Sequence, residues 1–353
     1  MLPNPGPLTP GPPLVHHPHY TVRPWPARHR FPMPKFALLR DRLLGQGVAT
    51  PQQFHRPRGP ADDGLLALVH DPAYIDAFTQ GTLDAGAQRR IGLPWSTELV
   101  RRTKTAVAGT VLACELALQH GLATQCAGGT HHAHHGYGSG FCIFNDMAVA
   151  AAELRRRSAV GRVLIVDLDV HQGDGTAAIF QDEPGVFTFS VHAQKNFPLR
   201  KAHSDLDLGL PDGVADDAYL ALLEQGLSAA EQPMHADSLR EIVSSNAQGE
   251  PRPFAGLRAL LHEVEPDLVI YDAGVDPYAG DRLGKLALSL DGLYQRDRRV
   301  IDTTRALGVP VACVIGGGYS VDPAEVAERH AIVHRAAADH AHAIEPAPEP
   351  PTP

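Results

Sequence analysis

Short apolar runs alternate with longer stretches of helical periodicity along most of the chain. Four runs rich in β-branched residues predict buried strands: Val163 to Val170, Val186 to Val191, Leu268 to Ala273 and Val309 to Ile315. A fifth strand is expected near Ala123. Six segments with helical spacing predict helices: 97–120, 145–157, 217–227, 256–265, 291–307 and 322–341. Strands that alternate with helices predict an α/β fold in three layers, with a mostly parallel central sheet covered by helices on both faces.

The pattern weakens at both ends and in one internal segment. Residues 1–15 and 341–353 are rich in proline, so both ends are expected to be flexible. Residues 228–256 are polar and are interpreted as a surface insertion with one short helix around Ser238 to Ser244. The remainder, 16–340, is predicted to form one domain, since α/β folds can bury a core of this size as a single unit.

Composition argues against several classes of protein. The 353 residues include 31 basic and 40 acidic side chains, a net charge of −9, which disfavours a nucleic-acid-binding surface and fits cationic substrates. No apolar run reaches the roughly 18 residues of a membrane-spanning helix, and the first residues lack the pattern of a signal peptide. The cysteines form no CxxC pair and are interpreted as buried thiols: Cys114, Cys126, Cys142 and Cys313. A cytoplasmic location is expected.

Polar residues follow four of the predicted strands. In an open α/β sheet, ligands bind beyond the carboxyl ends of the strands, so these residues are the candidates for chemistry. They fall in four segments: Gly128 to His132, Asp167 to Gly175, Asp272 to Asp276 and Gly316 to Tyr319.

The spacing of three residues after one strand predicts a metal site. In an extended chain Asp167, Asp169 and His171 point to the same face. Asp276, from another strand end, supplies a third ligand beside Asp169 and His171 and leaves a fourth position open, as in catalytic zinc sites. A single aspartate at a strand end could equally cap a helix or pair with an arginine, but the Asp-x-Asp-x-His run favours the metal.

The tandem histidines His131 and His132 are candidates for proton transfer. Asp167 and Asp174 can each orient one imidazole, although a histidine pair taken alone fits a polar cluster equally well. His134 and His135 lie in a glycine-rich loop and are given no role. The Tyr319 hydroxyl, after a run of three glycines, can donate to an oxyanion formed beside the metal.

Together these motifs resemble the histone deacetylase family, which shares an arginase-like fold. The resemblance covers about residues 16 to 340. Two stretches, NFPLRKAHSDLDLGLPDG from Asn196 and AGVDPYAGDRLGKLALS from Ala273, are most similar to the class IV branch and its bacterial relatives. Five motifs occur in the family's order: GGTHHAHHGYGSGFCIFND, VDLDVHQGDGT, FSVHAQKNFP, YDAGVDPYAGDRLG and GGGYS.

The resemblance implies a role for each candidate residue. It assigns zinc to Asp169, His171 and Asp276, proton transfer to His131 and His132, and carbonyl polarisation to Tyr319. It also implies a structural potassium ion and a channel for the acyl-lysine. The potassium residues are Asp167, Asp169, His171, Ser190 and Val191, and the substrate residues are Gly140, Phe141, Phe197 and Gly317. Binuclear manganese relatives carry an acid where this chain has Gly173, which favours one catalytic metal over two.

The expected activity is zinc-dependent hydrolysis of an N-acyl-lysine amide, with an acetyl or longer acyl group. Zinc and Tyr319 would polarise the carbonyl, and His132 would accept the proton of the attacking water. Two alternatives stay open: hydrolysis of acetylpolyamines or other small acylated amines, and a binding module that keeps the fold without catalysis. The acyl length and the oligomeric state are not determined by the sequence.

Overall fold

The computed structural model describes residues 11–227 and 242–344, and its centre is one sheet of nine strands. The strands are β1 (Leu14–Val15), β2 (Phe54–His55), β3 (Leu122–Gln125), β4 (Val163–Asp167), β5 (Val186–Ala193), β6 (Leu206–Leu210), β7 (Val243–Ser245), β8 (Leu268–Asp272) and β9 (Val311–Val314). Their order across the sheet is β2-β1-β3-β9-β8-β4-β5-β6-β7. All neighbours are parallel except β7, which runs antiparallel to β6 at one edge.

Helices cover this sheet in two groups. They are α1 (Lys35–Gly45), α2 (Asp63–Leu66), α3 (Pro72–Gln80), α4 (Ala85–Ile91), α5 (Thr97–His120), α6 (Asp146–Arg156), α7 (Asp174–Phe180), α8 (Asp216–Gln225), α9 (Leu257–Val264), α10 (Leu290–Ala306) and α11 (Pro323–Ile344). One group packs α1, α8, α9, α10 and α11 together, and the other packs α2, α3, α5, α6 and α7. Within the described chain no helix has the length and apolar character needed to cross a membrane.

The central strands carry apolar side chains on both faces because helices cover both faces. Every residue of β3, β4, β8 and β9 is buried. The register aligns the carboxyl ends of three adjacent strands, since Asp167 of β4 pairs with Ser190 of β5 and with Asp272 of β8. The loops that follow these strands therefore begin at one level of the sheet, which is where the polar segments of the sequence lie.

The predicted α/β class is confirmed, and all six predicted helices form with bounds no more than three residues from those expected. The predicted strand Val163 to Val170 ends earlier, at Asp167, because the chain turns as soon as it leaves the sheet. Strand β6 was not predicted, since Asp207 and Gly209 interrupt its apolar pattern.

The structure differs from the sequence interpretation at the amino end. Leu14 and Val15, expected in a flexible end, form a buried strand paired with Thr124 and Gln125. A strand of two residues has no periodicity to detect, so only its partners reveal it. Residues 1–10 lie outside the described residues.

The insertion interpreted at 228–256 also contributes to the sheet. Val243 and Ser244, placed in the predicted short helix, belong to strand β7, and Phe254 is only 5% exposed, with its ring centroid 5.2 Å from that of Phe189. Ile242 is not helical either, and the rest of the predicted helix falls in residues 228–241, which lie outside the described residues. At the carboxyl end α11 continues to Ile344, beyond the expected boundary of 340, and 345–353 are not described.

Candidate active site

Three side chains converge beyond the carboxyl ends of β4 and β8. Donor atoms of Asp169, His171 and Asp276 all lie within 4.8 Å of one another, and the three residues are buried. His171 Nδ1 lies 3.0 Å from Asp169 Oδ1 and 3.1 Å from Asp276 Oδ2. The three predicted ligands therefore occupy one cluster.

The cluster fits a metal ion by three features of this chain. Asp276 Oδ2 is buried, and its close polar contact is His171 Nδ1 of the same cluster, with no hydrogen bond to it from elsewhere in the described residues. The backbone N–H of Gly317 donates to Asp169 Oδ2 at 2.7 Å, which holds that carboxylate in place. A Cβ added to Gly317 would collide with the Oδ2 atoms of both aspartates, so only glycine leaves the space between them open. Two carboxylates and one imidazole match the donor set of catalytic zinc sites.

Asp167 lies outside this cluster, contrary to the same-face argument. Strand β4 ends at Asp167, and Asp169 and His171 lie in the loop that follows, where the alternation of an extended strand does not apply. Asp167 Oδ2 instead lies 2.8 Å from His131 Nδ1. A Cβ added to Gly173 would collide with Asp167 Oδ2, so the position that carries an acid in binuclear relatives has no room for a side chain here.

The two tandem histidines have the predicted carboxylate partners and opposite charge preferences. His132 Nδ1 lies 2.6 Å from Asp174 Oδ1, and the two imidazole centroids are 4.1 Å apart. Burial and the charge of His131 lower the pKa of His132 to about 4. Burial opposes the charge on His131, but Asp167 and Asp169 outweigh it, and the pKa of His131 stands well above its ordinary value. The pair therefore combines a neutral ring with a charged one.

One histidine that sequence reasoning left without a role shares a partner with this pair. His134 Nε2 lies 3.1 Å from Asp174 Oδ2, and its ring stacks on Tyr137 with centroids 4.4 Å apart. Asp174 thus orients His132 with one oxygen and contacts His134, in the glycine-rich loop, with the other. No spacing rule connects these residues, because the loop folds back on itself.

Tyr319 is held by its backbone, and its phenol is left free for chemistry. Its N–H donates to Asp281 Oδ2 at 2.7 Å, and the same oxygen lies 3.2 Å from Nη1 of Arg329 on α11. Burial and the charge of Asp276 raise the pKa of the Tyr319 phenol well above its ordinary value. The hydroxyl is therefore a hydrogen-bond donor at neutral pH.

A cavity leads from the surface to this site between two phenylalanines. The Phe197 ring centroid lies 4.9 Å from that of His132, and Phe141 lies 5.9 Å from Tyr319. Gly140 has a φ of +53°, and a Cβ there would approach His132 within 2.7 Å, so this wall needs glycine. Gly317 lies deeper, along a smaller inner cavity with His131 and Tyr319.

The residues assigned to potassium lie on adjacent strand ends. Asp167 and Ser190 are direct register partners, and both are buried with Val191. Asp167 Oδ1 accepts the N–H of Asp169 at 3.1 Å, and Ser190 Oγ lies 3.0 Å from His192 Nδ1. The set supplies oxygen donors, which hard cations prefer.

Asp272 is a site residue that sequence reasoning quoted without assigning it a role. It is fully buried, and neither carboxyl oxygen has a hydrogen-bond partner within the described chain. It lies with His131 and Asp167 in a second group whose donor atoms are within 4.8 Å of one another. Burial, reinforced by the charge of Asp167, raises the pKa of Asp272 well above its ordinary value. Asp272 is therefore the carboxyl of this second group whose charged form is the most disfavoured by its surroundings.

Arg296 on α10 is a second residue that sequence reasoning missed. Its side chain is 0% exposed, and Nη1 donates to the carbonyls of Leu168 at 3.1 Å and Gly274 at 2.7 Å. Its charge is matched by Asp297, whose Oδ1 lies 2.8 Å from Nη2. One guanidinium thus joins the two loops that carry the metal-ligand candidates. An arginine inside a helical pattern is normally read as solvent-facing, so its burial is not visible in the sequence.

Comparison with known proteins gives matches over most of the chain. A family model described as a histone deacetylase domain matches residues 29–238 and 254–335, and the gap lies inside the segment interpreted as an insertion. An uncharacterized protein of Picosynechococcus is 54% identical over 93% of this chain and 98% of its own length. Histone deacetylase 2 of Arabidopsis thaliana is 31% identical over 84% of this chain and 71% of its own length.

Two further proteins are similar at lower identity. The acetoin utilization protein AcuC of Staphylococcus aureus is 28% identical over 76% of this chain and 66% of its own length. The solved HD domain of HDA15 superposes with a TM-score of 0.68 at 19% identity, covering 93% of this chain and 88% of that one, and this likeness shows the fold alone.

The mostly parallel sheet with helices on both faces places the chain in the arginase and deacetylase class of α/β folds. Within that class, the chain belongs to the histone deacetylase family of hydrolases.

Proposed function

We propose that this protein is a zinc-dependent deacylase that hydrolyses the amide of an N-acyl-lysine, with an acetyl or longer acyl group, and that it resembles the class IV branch. The observation that carries the proposal is the convergence of Asp169, His171 and Asp276 at the inner end of a channel lined by His132 and Tyr319. A divalent cation held by these three side chains polarises an amide carbonyl and activates water when bound.

The histidine pair handles the protons. Asp174 Oδ1 is hydrogen-bonded to Nδ1 of His132. Because this ring is neutral, its Nε2 is free to accept a proton from the attacking water. His131, held by Asp167, is the charged member of the pair. The proton accepted by the pair passes to the leaving amine when the C–N bond breaks.

Tyr319 and the channel walls position the amide. The phenol keeps its proton at neutral pH and donates it in a hydrogen bond to the developing oxyanion. Phe141 and Phe197 enclose the apolar part of the lysine side chain and exclude water beside the reacting carbon. Gly140 allows the substrate chain to approach His132 closely.

Potassium is the proposed structural ion beside the catalytic centre. Its ligands would come from Asp167, Asp169, His171, Ser190 and Val191, because these residues bring oxygen atoms from the ends of β4 and β5 to one place. Held there, the ion would fix the loop that carries Asp169 and His171. The four free and buried thiols support a reducing compartment such as the cytoplasm.

A panel of substrates tests the proposal against both alternatives. The zinc-loaded protein should hydrolyse acetyl-lysine or longer acyl-lysine peptides, lose this activity with a chelator and recover it when zinc is restored. Hydrolysis of acetylpolyamines alone would replace the substrate class. A folded protein that binds zinc and hydrolyses nothing in the panel would support the non-catalytic binding module.

A further inference from the structure

The outer part of the channel carries a charge opposite to that of the whole chain. The cavity of about 540 Å³ that reaches His132, His171 and Tyr319 is lined by five basic side chains, and no aspartate or glutamate of the described residues lines it. The basic residues are Arg30, Arg89, Arg90, Lys195 and Lys285. We call this set the basic rim.

One side of the basic rim is fixed to a channel wall by the backbone. Arg89 and Arg90 end helix α4 with exposed side chains. The carbonyl of Arg90 accepts the N–H of Gly140 at 3.2 Å, and the carbonyl of Ile91 accepts the N–H of Phe141 at 2.9 Å. The two arginines therefore stand directly beside the residues proposed to hold the acyl-lysine.

The other side of the rim lies across the opening. Lys195 is two residues before Phe197, and its carbonyl accepts a hydrogen bond from Lys285 Nζ at 3.0 Å. Asn196 Nδ2 donates to the carbonyl of Leu283 at 2.6 Å, which ties these two segments together. Cations thus stand on both walls of the channel.

Most of these cations lack an ion-pair partner, although Arg90 lies over the Tyr137 ring at 4.8 Å. Lys285 Nζ lies 3.9 Å from Asp212 Oδ2, but Arg30, Arg89, Arg90 and Lys195 form no ion pair with any described residue. A protein with a net charge of −9 would repel an acidic partner over most of its surface. A local cluster of one sign at a cleft instead selects the opposite sign at that point.

We propose that the substrate is an acyl-lysine flanked on both sides by acidic residues of its own peptide, an inference that rests on the proposed deacylase function. Anionic groups on both sides of the acylated side chain meet cations on both walls, and a peptide segment supplies them more readily than a small molecule. The net charge of the chain favours cationic substrates, but the basic rim at the channel favours acidic ones. Acetylpolyamines carry positive charge into this rim and are disfavoured.

Matched peptides test the proposal. Acetyl-lysine is placed between two glutamates on each side, and separately between two arginines on each side. Several exposed charge contacts together should give the acidic peptide roughly tenfold higher kcat/KM at low salt. The ratio should fall toward one in about 0.5 M salt, because exposed charges are screened. An equal or reversed ratio at low salt overturns the proposal.

A charge-reversal variant with a matched control locates the effect. Arg89→Glu combined with Arg90→Glu should reduce the acidic-to-basic ratio to one or below. Arg56→Glu combined with Arg58→Glu makes the same change in net charge at exposed residues outside the basic rim, and should keep the wild-type ratio. Equal ratios in the two double variants would show that only the net charge matters. The ratio is independent of the fraction of active enzyme, since both peptides meet the same preparation.

Binding to the metal-free full-length chain separates this inference from the proposed function. Fluorescein-labelled forms of the two peptides are titrated with the protein in the presence of chelator, and the acidic peptide should bind roughly tenfold more tightly at low salt. Tight binding of the acidic peptide without hydrolysis by the zinc-loaded protein would refute the deacylase and leave the rim's preference intact. Hydrolysis of both peptides with equal binding would support the deacylase and refute the basic rim's preference for acidic peptides.

Discussion

Tyr319 is the residue whose surroundings restrict its role most closely. Asp281 and Arg329 hold its backbone, while Tyr319 lines the same cavity as His132 and His171. An oxyanion donor is useful only if its own proton stays in place, and burial ensures this. Removing the hydroxyl oxygen leaves the anchoring contacts intact, so the tyrosine can be tested without disturbing the fold.

Tyr319→Phe should fold normally, bind its metal with unchanged stoichiometry and lose about 10²–10³ of its kcat on an acetyl-lysine peptide. The measurement is steady-state kinetics beside metal analysis of the same preparation. An unchanged kcat would remove the tyrosine from the mechanism. Loss of metal would instead assign it a structural role.

The site residues that could be predicted are those next to a strong local pattern. Asp169 and His171 follow an apolar strand directly, and Asp276 follows another, so their convergence follows from a parallel sheet. His134 and Arg296 could not be found in this way. Their contacts depend on a loop fold and on a helix packed over the site, neither of which leaves a periodic signal in the sequence.

At the scale of elements, α10 is tied to the active-site loops by a single side chain. Arg296 donates to one carbonyl in the loop after β4 and one in the loop after β8, and Asp297 and Tyr271 complete the buried network. Removing the guanidinium leaves two carbonyls without this donor and the Asp297 charge without its partner. We therefore expect a lower free energy of unfolding and a less well fixed distance between the loops after β4 and β8.

Arg296→Met should lower the free energy of unfolding by about 3–5 kcal/mol and weaken zinc binding. Adding Asp297→Asn should recover part of the stability without restoring zinc affinity, because the loops still lack their shared donor. Arg298→Met on the same helix, which removes a partly exposed pair with Asp302, should cost less than about 1 kcal/mol. Chelator competition at a temperature where all variants are folded gives the affinities; an unchanged affinity would limit Arg296 to a role in stability.

The segment after β7 is a second element whose importance can be measured. Arg252 Nη1 donates to the carbonyl of Asp205 at 2.6 Å, and Phe254 packs against Phe189 of β5. These contacts belong to the sheet edge. Residues 228–241 hold none of the candidate site residues, and replacing them alone by a short Gly/Ser link should cost little, since loop closure depends weakly on length.

Phe254→Ala should destabilise the protein by about 3–5 kcal/mol with little change in kcat for the folded enzyme. The exposed Val243→Ala is the control and should stay within about 0.5 kcal/mol of wild type. Urea unfolding followed by circular dichroism measures both. A decrease in the free energy of unfolding of less than about 1 kcal/mol for Phe254→Ala would show that the segment after β7 is a surface insertion with little structural role.

For the whole molecule, the fold class and the order of helices follow from the alternation of apolar runs with helical periods. The sheet edges do not, because β1, β2 and β7 have two or three residues each and depend on their neighbours for pairing. Charge shows the same limit, since a net value of −9 says nothing about where positive side chains gather. Patterns over many residues were therefore predictable, and spatial clusters of distant residues were not.

The buried neutral histidines predict how the stability of the whole molecule depends on pH. His70 Nε2 accepts the N–H of Asn145 at 2.9 Å, and Nδ1 lies 3.0 Å from the carbonyl of His134, so the ring is held neutral. Burial lowers the pKa of His70 to about 4, against an ordinary value of 6.5. Below about pH 6.5 the unfolded chain therefore binds a proton at His70 that the folded chain does not bind. The stability is fully present above pH 6.5 and declines as the pH falls toward 4.

Each such histidine adds a slope of up to about 1.4 kcal/mol per pH unit in this window. Urea unfolding between pH 7.5 and pH 4.5, with a chelator present to remove metal linkage, should show the decline. His70→Gln should be less stable at pH 7.5 and should have a shallower slope by about one proton. His120→Gln, at an exposed position, should keep the wild-type slope. A His70→Gln slope equal to that of wild type would contradict the assignment.

The central claim is that one metal ion, held by Asp169, His171 and Asp276, is required for amide hydrolysis. Its most direct test is the zinc content of wild type and of Asp276→Ala after equilibrium with a small excess of zinc, measured on protein whose folding is verified by circular dichroism, together with hydrolysis of an acetyl-lysine peptide. We expect about one zinc per wild-type chain together with activity, and the loss of both zinc and activity in the folded variant. Full zinc occupancy and full activity in Asp276→Ala would contradict it.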